Sequence, residues 1–157
     1  PNVAVSLNMD IWKPSVTVAA VIERAGHFLL VEEHADGREV YNQPAGHWEP
    51  GETLIEACSR EALEETAHAF APQQITGIYR WHHAPTGTSF LRFAFCGRVG
   101  EMDPDRLLDR EIIRAVWLSV EEVRSLLPRH RSPLVMRCID DYLAGRRYPL
   151  ELLTHME

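Results

Sequence analysis

Apolar residues fall in short clusters along the chain, and their spacing alternates between strand and helix periods. Residues 16–23 and 28–34 are dense in Val, Ile, Leu and Phe and flank Arg24-Ala25-Gly26-His27, which predicts a β-hairpin. A short extended piece over 40–44 follows, and Pro50-Gly51 marks a turn. Thr53 with Glu56 three residues later forms a capping box, so a helix is predicted over 54–67, with Leu54, Ile55, Cys58 and Ala62 turned to the core. Strands are predicted at 75–82 and 89–99, joined through Pro85-Thr86-Gly87, and again at 113–118. Ser119 and Glu122 make a second capping box for a short helix that Pro128 ends. A last helix takes Ser132 as cap, Pro133 at its first position and Gly145 beyond its end, with Leu134, Val135, Cys138, Ile139 and Tyr142 as its apolar stripe. Interleaved strands and helices place the chain in the α/β (α+β) class, a mixed sheet flanked by helices.

The first helix carries an electrostatic oddity. Glu61, Glu64 and Glu65 recur at spacings of three and four, which crowds like charges onto one arc. Glu56 and Arg60 form an i,i+4 pair in the favourable order, whereas Glu61 and Glu65 repel, at a cost of roughly a few tenths of a kcal/mol. No lysine occurs between residues 46 and 70 to relieve them. Two readings follow from spacing alone: a solvated face laced with ion pairs, or half of a coordination shell. In the second, a hard divalent ion, Mg2+ or Mn2+, is shared between carboxylates and a substrate's phosphates.

Composition narrows the partners. The 157 residues are 45% hydrophobic and 25% charged, enough for one packed domain. A formal charge of −7 argues against nucleic acid or an anionic membrane as partner, and a negative protein that handles phosphates needs a cation. No apolar run is long enough for a membrane span, and PNVAVSLN at 1–8 does not read as a signal peptide. Residues 1–8, ahead of Met9, are expected to be a disordered or non-native extension to a domain over 9–157. Cys58, Cys96 and Cys138 are scattered without C-x-x-C spacing and are expected as core residues of a cytoplasmic protein.

Gly46, Glu52, Arg60-Glu61 and Glu64-Glu65 are spaced as in the Nudix box, G-x5-E-x7-R-E-U-x-E-E-x-G-U, where U is a bulky apolar residue. Ala62, Ala67 and His68 depart from it, and Ala67, where glycine is usual, bears on how the helix ends. Beyond the box (46–68), Trp12-Lys13-Pro14-Ser15-Val16-Thr17-Val18, Val31-Glu32-Glu33 and Asn42-Gln43-Pro44-Ala45-Gly46-His47 resemble bacterial NudJ-type Nudix phosphatases. So do Phe90-Leu91-Arg92-Phe93, Arg131-Ser132-Pro133-Leu134-Val135 and Arg147-Tyr148-Pro149-Leu150-Glu151. The resemblance implies a Nudix α/β/α sandwich and a Mg2+-dependent phosphohydrolase, with Mn2+ as a possible substitute. It implies action on nucleoside tri- and diphosphates, thiamine pyrophosphate and hydroxymethylpyrimidine pyrophosphate, with release of orthophosphate. Small-molecule nucleotides or pyrophosphates are then the partners, and the protein a monomer or homodimer.

Carried over by position, Glu61 and Glu65 are metal ligands, Glu64 a third, and the Gly46 carbonyl a further oxygen. Arg60 and Glu52 orient the glutamates. Glu64, Glu65 or Glu111 serves as base for the attacking water, although Glu111 also reads as an exposed acid in the charged run 103–114. Arg92 and His47 are candidate phosphate contacts, Arg92 reading equally as an edge-facing arginine, and Trp48, Trp81, His82 and His83 are candidates to stack on a ring. Two alternatives stand beside this: a Nudix nucleotide pyrophosphatase or dinucleotide hydrolase, and a non-catalytic nucleotide sensor. A sensor usually lacks box glutamates that are all present here.

Overall fold

The computed structural model describes residues 10–157, so the expectation for residues 1–8 lies outside the described residues. Its elements in order are β1 (Ser15–Val21), β2 (Glu23–Arg24), β3 (His27–Ala35), β4 (Arg38–Asn42), β5 (Ala45–His47), α1 (Leu54–Thr66), β6 (His68–His83) and β7 (Thr88–Met102). They continue with β8 (Ile112–Ser119), α2 (Val120–Ser125), a 3-10 turn at Leu127–Arg129, α3 (Leu134–Leu143), β9 (Tyr148–Pro149) and a 3-10 turn at Leu150–Leu152.

One sheet runs β5-β1-β7-β6-β9, with β1 and β7 parallel and the other neighbours antiparallel. In the second, β3 is central, paired with β8 on one side and with β2 and β4 on the other. The hairpin expected from residues 16–34 is therefore corrected. Backbone pairing across Arg24-Ala25-Gly26-His27 reaches only from β2 to Ile22, whose carbonyl accepts from Leu29 at 2.9 Å. Upstream, β1 leaves β3 and enters the other sheet between β5 and β7. The reason lies in its side chains. Val18, Ala20 and Ile22 pack with Ala57, Cys58 and Ala62 of α1, while Ala19 and Val21 pack with Cys138 and Ile139 of α3. A strand buried on both faces is stabilised in the interior of a sheet and not in a two-stranded ribbon. Helix α1 thus covers one face and α2 with α3 the other, giving the expected α/β/α layering.

Both capping boxes form as expected, at Thr53/Glu56 and Ser119/Glu122. Helix α3 begins one residue later than expected, with Pro133 as its cap residue, while the Ser132 hydroxyl accepts from Leu134 N. Strands β6 and β7 run longer at both ends than their apolar cores, because register shifts between Pro72 and Gln74 and between Ile75 and Gly77 interrupt the ladder without ending the pairing.

Candidate active site

Strand β5, the loop after it and α1 are held as one unit by Arg60. Its Nε and Nη2 donate to the two oxygens of Glu52 at 2.9 and 2.7 Å, Nη1 donates to Glu61 at 2.8 Å and Glu64 at 3.2 Å, and Nη2 also reaches the His47 carbonyl at 3.0 Å. The expected Glu56–Arg60 pair does not form. The Glu56 carboxylate is taken by the backbone N–H of Thr53 in the capping box, and Arg60 turns instead to the loop and the other glutamates. The forked contact holds the Glu52 carboxyl below the usual carboxylate range. Glu52 in turn accepts from Glu49 N, and its carbonyl accepts from the Trp48 indole at 2.7 Å, which ties the loop to the helix.

Glu61 and Glu65 are buried, against the solvated-face reading. Burial pushes both carboxyls up; Arg60 opposes the rise at Glu61, while Glu65 rises to about 9 with Glu33 and Glu61 adding to it and the Ala45 N–H opposing it. That N–H donates to Glu65 at 2.8 Å. Gly46 stands where a side chain would fall on the Glu61 carboxyl, so the absence of a Cβ lets β5 pass close to the glutamates. Among the described residues, Glu61, Glu64 and Asp109 bring carboxylate oxygens within 4.8 Å of one another. Asp109 was not anticipated from the sequence. It sits in the charged run 103–114 and reaches the helix because its N–H donates to the Glu64 carbonyl at 3.0 Å.

These groups open on a pocket of about 350 Å³ lined by Gly46, His47, Glu61, Glu65, Arg92 and Glu111 among others. Glu64, Glu52 and Arg60 are not part of this lining. Glu111 is exposed, and the His34 N–H holds its backbone carbonyl at 2.9 Å. Arg92 is not on an edge, since β7 lies between β1 and β6. Trp81 lines the pocket, whereas Trp48 is tied to the loop, and His82 and His83 bond to Ser89 and Thr86. Carboxylate oxygens converging from buried Glu61 and from the less buried Glu64 and Asp109 fit a hard divalent ion.

Residues 12–138 match the NUDIX domain model. The chain is 44% identical over 142 residues to the phosphatase NudJ of Escherichia coli K12, spanning 90% of this chain and 92% of that protein. A NUDIX hydrolase structure from Nitrosomonas europaea superposes with a TM-score of 0.90 at 57% identity, covering 92% of this chain and 98% of that one. The chain belongs to the Nudix family. It is a hydrolase of phosphorus-containing acid anhydrides, and Nudix hydrolases generally use divalent metals. A MutT NUDIX hydrolase from Burkholderia pseudomallei, 18% identical at a TM-score of 0.70, shares the fold.

The departures from the Nudix box are absorbed by packing. Ala62 is fully buried between α1 and the sheet. Ala67 ends the Nudix helix in the left-handed conformation usual for glycine (φ 58°), its N–H donating to Leu63, so the helix exit is kept at a conformational cost. His68 is buried edge-on to Trp117, with Nδ1 2.7 Å from the Thr66 carbonyl.

The raised Glu65 carboxyl makes the Nudix site pH-sensitive. Without a cation, the native state holds a proton up to about pH 9, whereas the ordinary carboxyl loses it near 4.5. The native state then binds more protons than the unfolded chain, so metal-free stability falls as pH rises through that window. A divalent ion bound beside Glu65 would displace the proton and offset this loss. The gain in Tm from saturating Mg2+ is expected to grow between about pH 6 and pH 8.5. Differential scanning fluorimetry with and without Mg2+ checks this; a gain flat across that range would contradict it.

Proposed function

We propose that the enzyme is a Mg2+-dependent phosphohydrolase of nucleoside tri- and diphosphates and of thiamine-pathway pyrophosphates, namely thiamine pyrophosphate and hydroxymethylpyrimidine pyrophosphate, and that it releases orthophosphate. The observation that carries it is the convergence of Glu61, Glu64 and Asp109 beside a pocket lined by Gly46 and Glu65. Orthophosphate as product rests on the likeness to proteins named phosphatases. In this reading Glu61, Glu64, Glu65 and the Gly46 carbonyl, joined by Asp109, hold Mg2+, with Mn2+ as substitute. The ion supplies charge neutralisation of the phosphoryl oxygens and a lowered pKa for a bound water. Arg60 and Glu52 keep the carboxylates aimed.

Glu111 takes the proton of the attacking water. Its side chain has no hydrogen-bond or ion-pair partner among the described residues and stands on the pocket wall, whereas Glu64 is engaged by Arg60 and Glu65 by Ala45. His47, exposed on the same wall, contacts a phosphate, and Arg92 binds substrate. Among the described residues no helix is long and apolar enough to cross a membrane. The three cysteines are buried and free, which fits the cytoplasm. The partners of this reading are small molecules, not nucleic acid or membrane, and the protein acts as a monomer or homodimer.

Product analysis over GTP, GDP, thiamine pyrophosphate and hydroxymethylpyrimidine pyrophosphate tests the proposal. Stepwise orthophosphate release supports it, and direct formation of GMP and pyrophosphate refutes it. Glu111→Gln is expected to lower kcat by about 10²–10⁴-fold with the Mg2+ requirement unchanged; a smaller loss returns the base role to Glu64 or Glu65.

A further inference from the structure

The pocket is lined by five glutamates but only two arginines, Arg92 and Arg131. A phosphate chain entering it needs positive charge, and a divalent ion meets only part of that need. Arg92 is buried, and its Nη1 and Nη2 already donate to Gln43 and Asn42 at 3.0 and 3.1 Å. Arg131 differs. Its side chain is 46% exposed, and its single side-chain hydrogen bond runs from Nη1 to Glu33 at 2.6 Å. Among the described residues nothing accepts from its Nε or Nη2. That is the edge with which Arg60 grips both oxygens of Glu52. On Arg131 the same fork is without an acceptor, on a residue of the pocket wall.

The surroundings hold this guanidinium in place. Glu33 is only 4% exposed, also lines the pocket, and has Arg131 as its one side-chain partner. The Arg131 N–H donates to the Tyr41 carbonyl at 2.8 Å, which ties the residue to β4. Ser132 beside it is buried on the same wall. Its hydroxyl accepts from Leu134 N at 3.2 Å and keeps its own proton to donate. Glu32, next to Glu33 in β3, makes the contrast. Arg114 and Arg129 hold it together, neither of them lines the pocket, and Arg129 lies over the Tyr41 ring.

We infer that Arg131, braced by Glu33, grips the free end of the substrate's phosphate chain through its Nε–Nη2 edge, and selects substrates with an unesterified terminal phosphate over those capped by a second organic group. The inference rests on the proposed function in taking phosphate chains as substrates. A terminal phosphate carries close to two charges and three oxygens, so it fills the fork and keeps an oxygen for a metal ion. Esterification removes one charge and one acceptor, and the added group meets the packed wall of Glu33 and Ser132. Dinucleotides, esterified at both ends of the chain, are disfavoured. The ring is left unconstrained by Arg131, in keeping with a substrate set that runs from nucleotides to pyrimidine pyrophosphates.

Two ligands that differ by one methyl group provide the test. They are α,β-methylene-ADP, whose phosphorus–carbon bridge resists hydrolysis, and its β-methyl ester, compared by titration calorimetry with Mg2+ present. The free-ended ligand is expected to bind roughly ten- to hundred-fold tighter. Removing Arg131 alone leaves buried Glu33 unpaired, so Arg131→Met is made together with Glu33→Gln. In that double variant the ratio is expected to fall about ten-fold, with the ester's affinity within about three-fold of wild type. Arg131→Lys keeps the charge beside Glu33 without the fork, and falls between. A wild-type ratio below two-fold overturns the inference. So does either variant that loses Tm but keeps the wild-type ratio, since Arg131 then only neutralises Glu33. Where the double variant fails to fold, the wild-type ratio and Arg131→Lys decide. If GTP yields GMP and pyrophosphate, the proposed function fails while these binding ratios still decide the role of Arg131.

Discussion

Glu61→Gln is expected to lower kcat roughly 10³-fold while leaving the protein folded. The side chain lies where three elements meet. Arg60 donates to it at 2.8 Å, Glu64 and Asp109 bring carboxylate oxygens within 4.8 Å, and Gly46 leaves it room. Glutamine keeps the shape and an acceptor for Arg60 but removes the charge that, in the proposed function, holds a divalent ion. Loss of metal-based charge stabilisation removes several kcal/mol, and each tenfold in rate is about 1.4 kcal/mol. Burial already disfavours the charged form of Glu61. The variant's metal-free Tm is therefore expected to equal or exceed that of the wild type, with the Mg2+-induced gain lost. Steady-state kinetics over a Mg2+ titration, with thermal melts, measure both. Activity within a few-fold of wild type would place the metal site elsewhere. Gly46→Ala approaches the same result from the other side, since a methyl group there displaces the Glu61 carboxyl.

Arg60→Ala is expected to damage both stability and rate. Arg60 is 23% exposed and bonds Glu52, Glu61, Glu64 and the His47 carbonyl. Without it these acids face one another with no cation. Breaking a buried pair of this kind costs on the order of 3 kcal/mol, which for a chain of this size lowers Tm by roughly 10 °C. The catalytic loss is about 10–100-fold, as for residues that aim ligands and do not bind the metal themselves. Added Mg2+ is expected to recover part of the Tm, since in the proposed site it restores positive charge among the same oxygens. Arg60→Lys keeps the charge without the fork that Glu52 accepts, so it falls between the two. Wild-type Tm and kcat in Arg60→Ala would show that the hub is idle.

How much was legible in the chain depended on distance along it. The capping boxes at Thr53/Glu56 and Ser119/Glu122 were readable because each is closed by side chains and N–H groups three residues apart. The crowding of Glu61, Glu64 and Glu65 was readable because helix geometry alone sets their spacing. Other features were not readable. Arg60 was expected to pair within its helix with Glu56, yet residues on β5 and in the loop compete for it, and neither acceptor is near it in sequence. Arg92 read equally as an edge residue, because strand order is not written in the strand.

The chain by itself determined the local elements, the layered class and the box that carries the acids, since these follow from backbone periodicity and contacts within a helical turn. Tertiary structure decided the rest. Burial on both faces drew β1 from its hairpin into the other sheet, which set β5 and β7 on either side of it. The loop bonded to the end of α1, through Asp103 N to Ala67 and Asp109 N to Glu64, brought Asp109 to the glutamates. Contacts of that kind depend on which surfaces need covering, and no short stretch of sequence contains both partners.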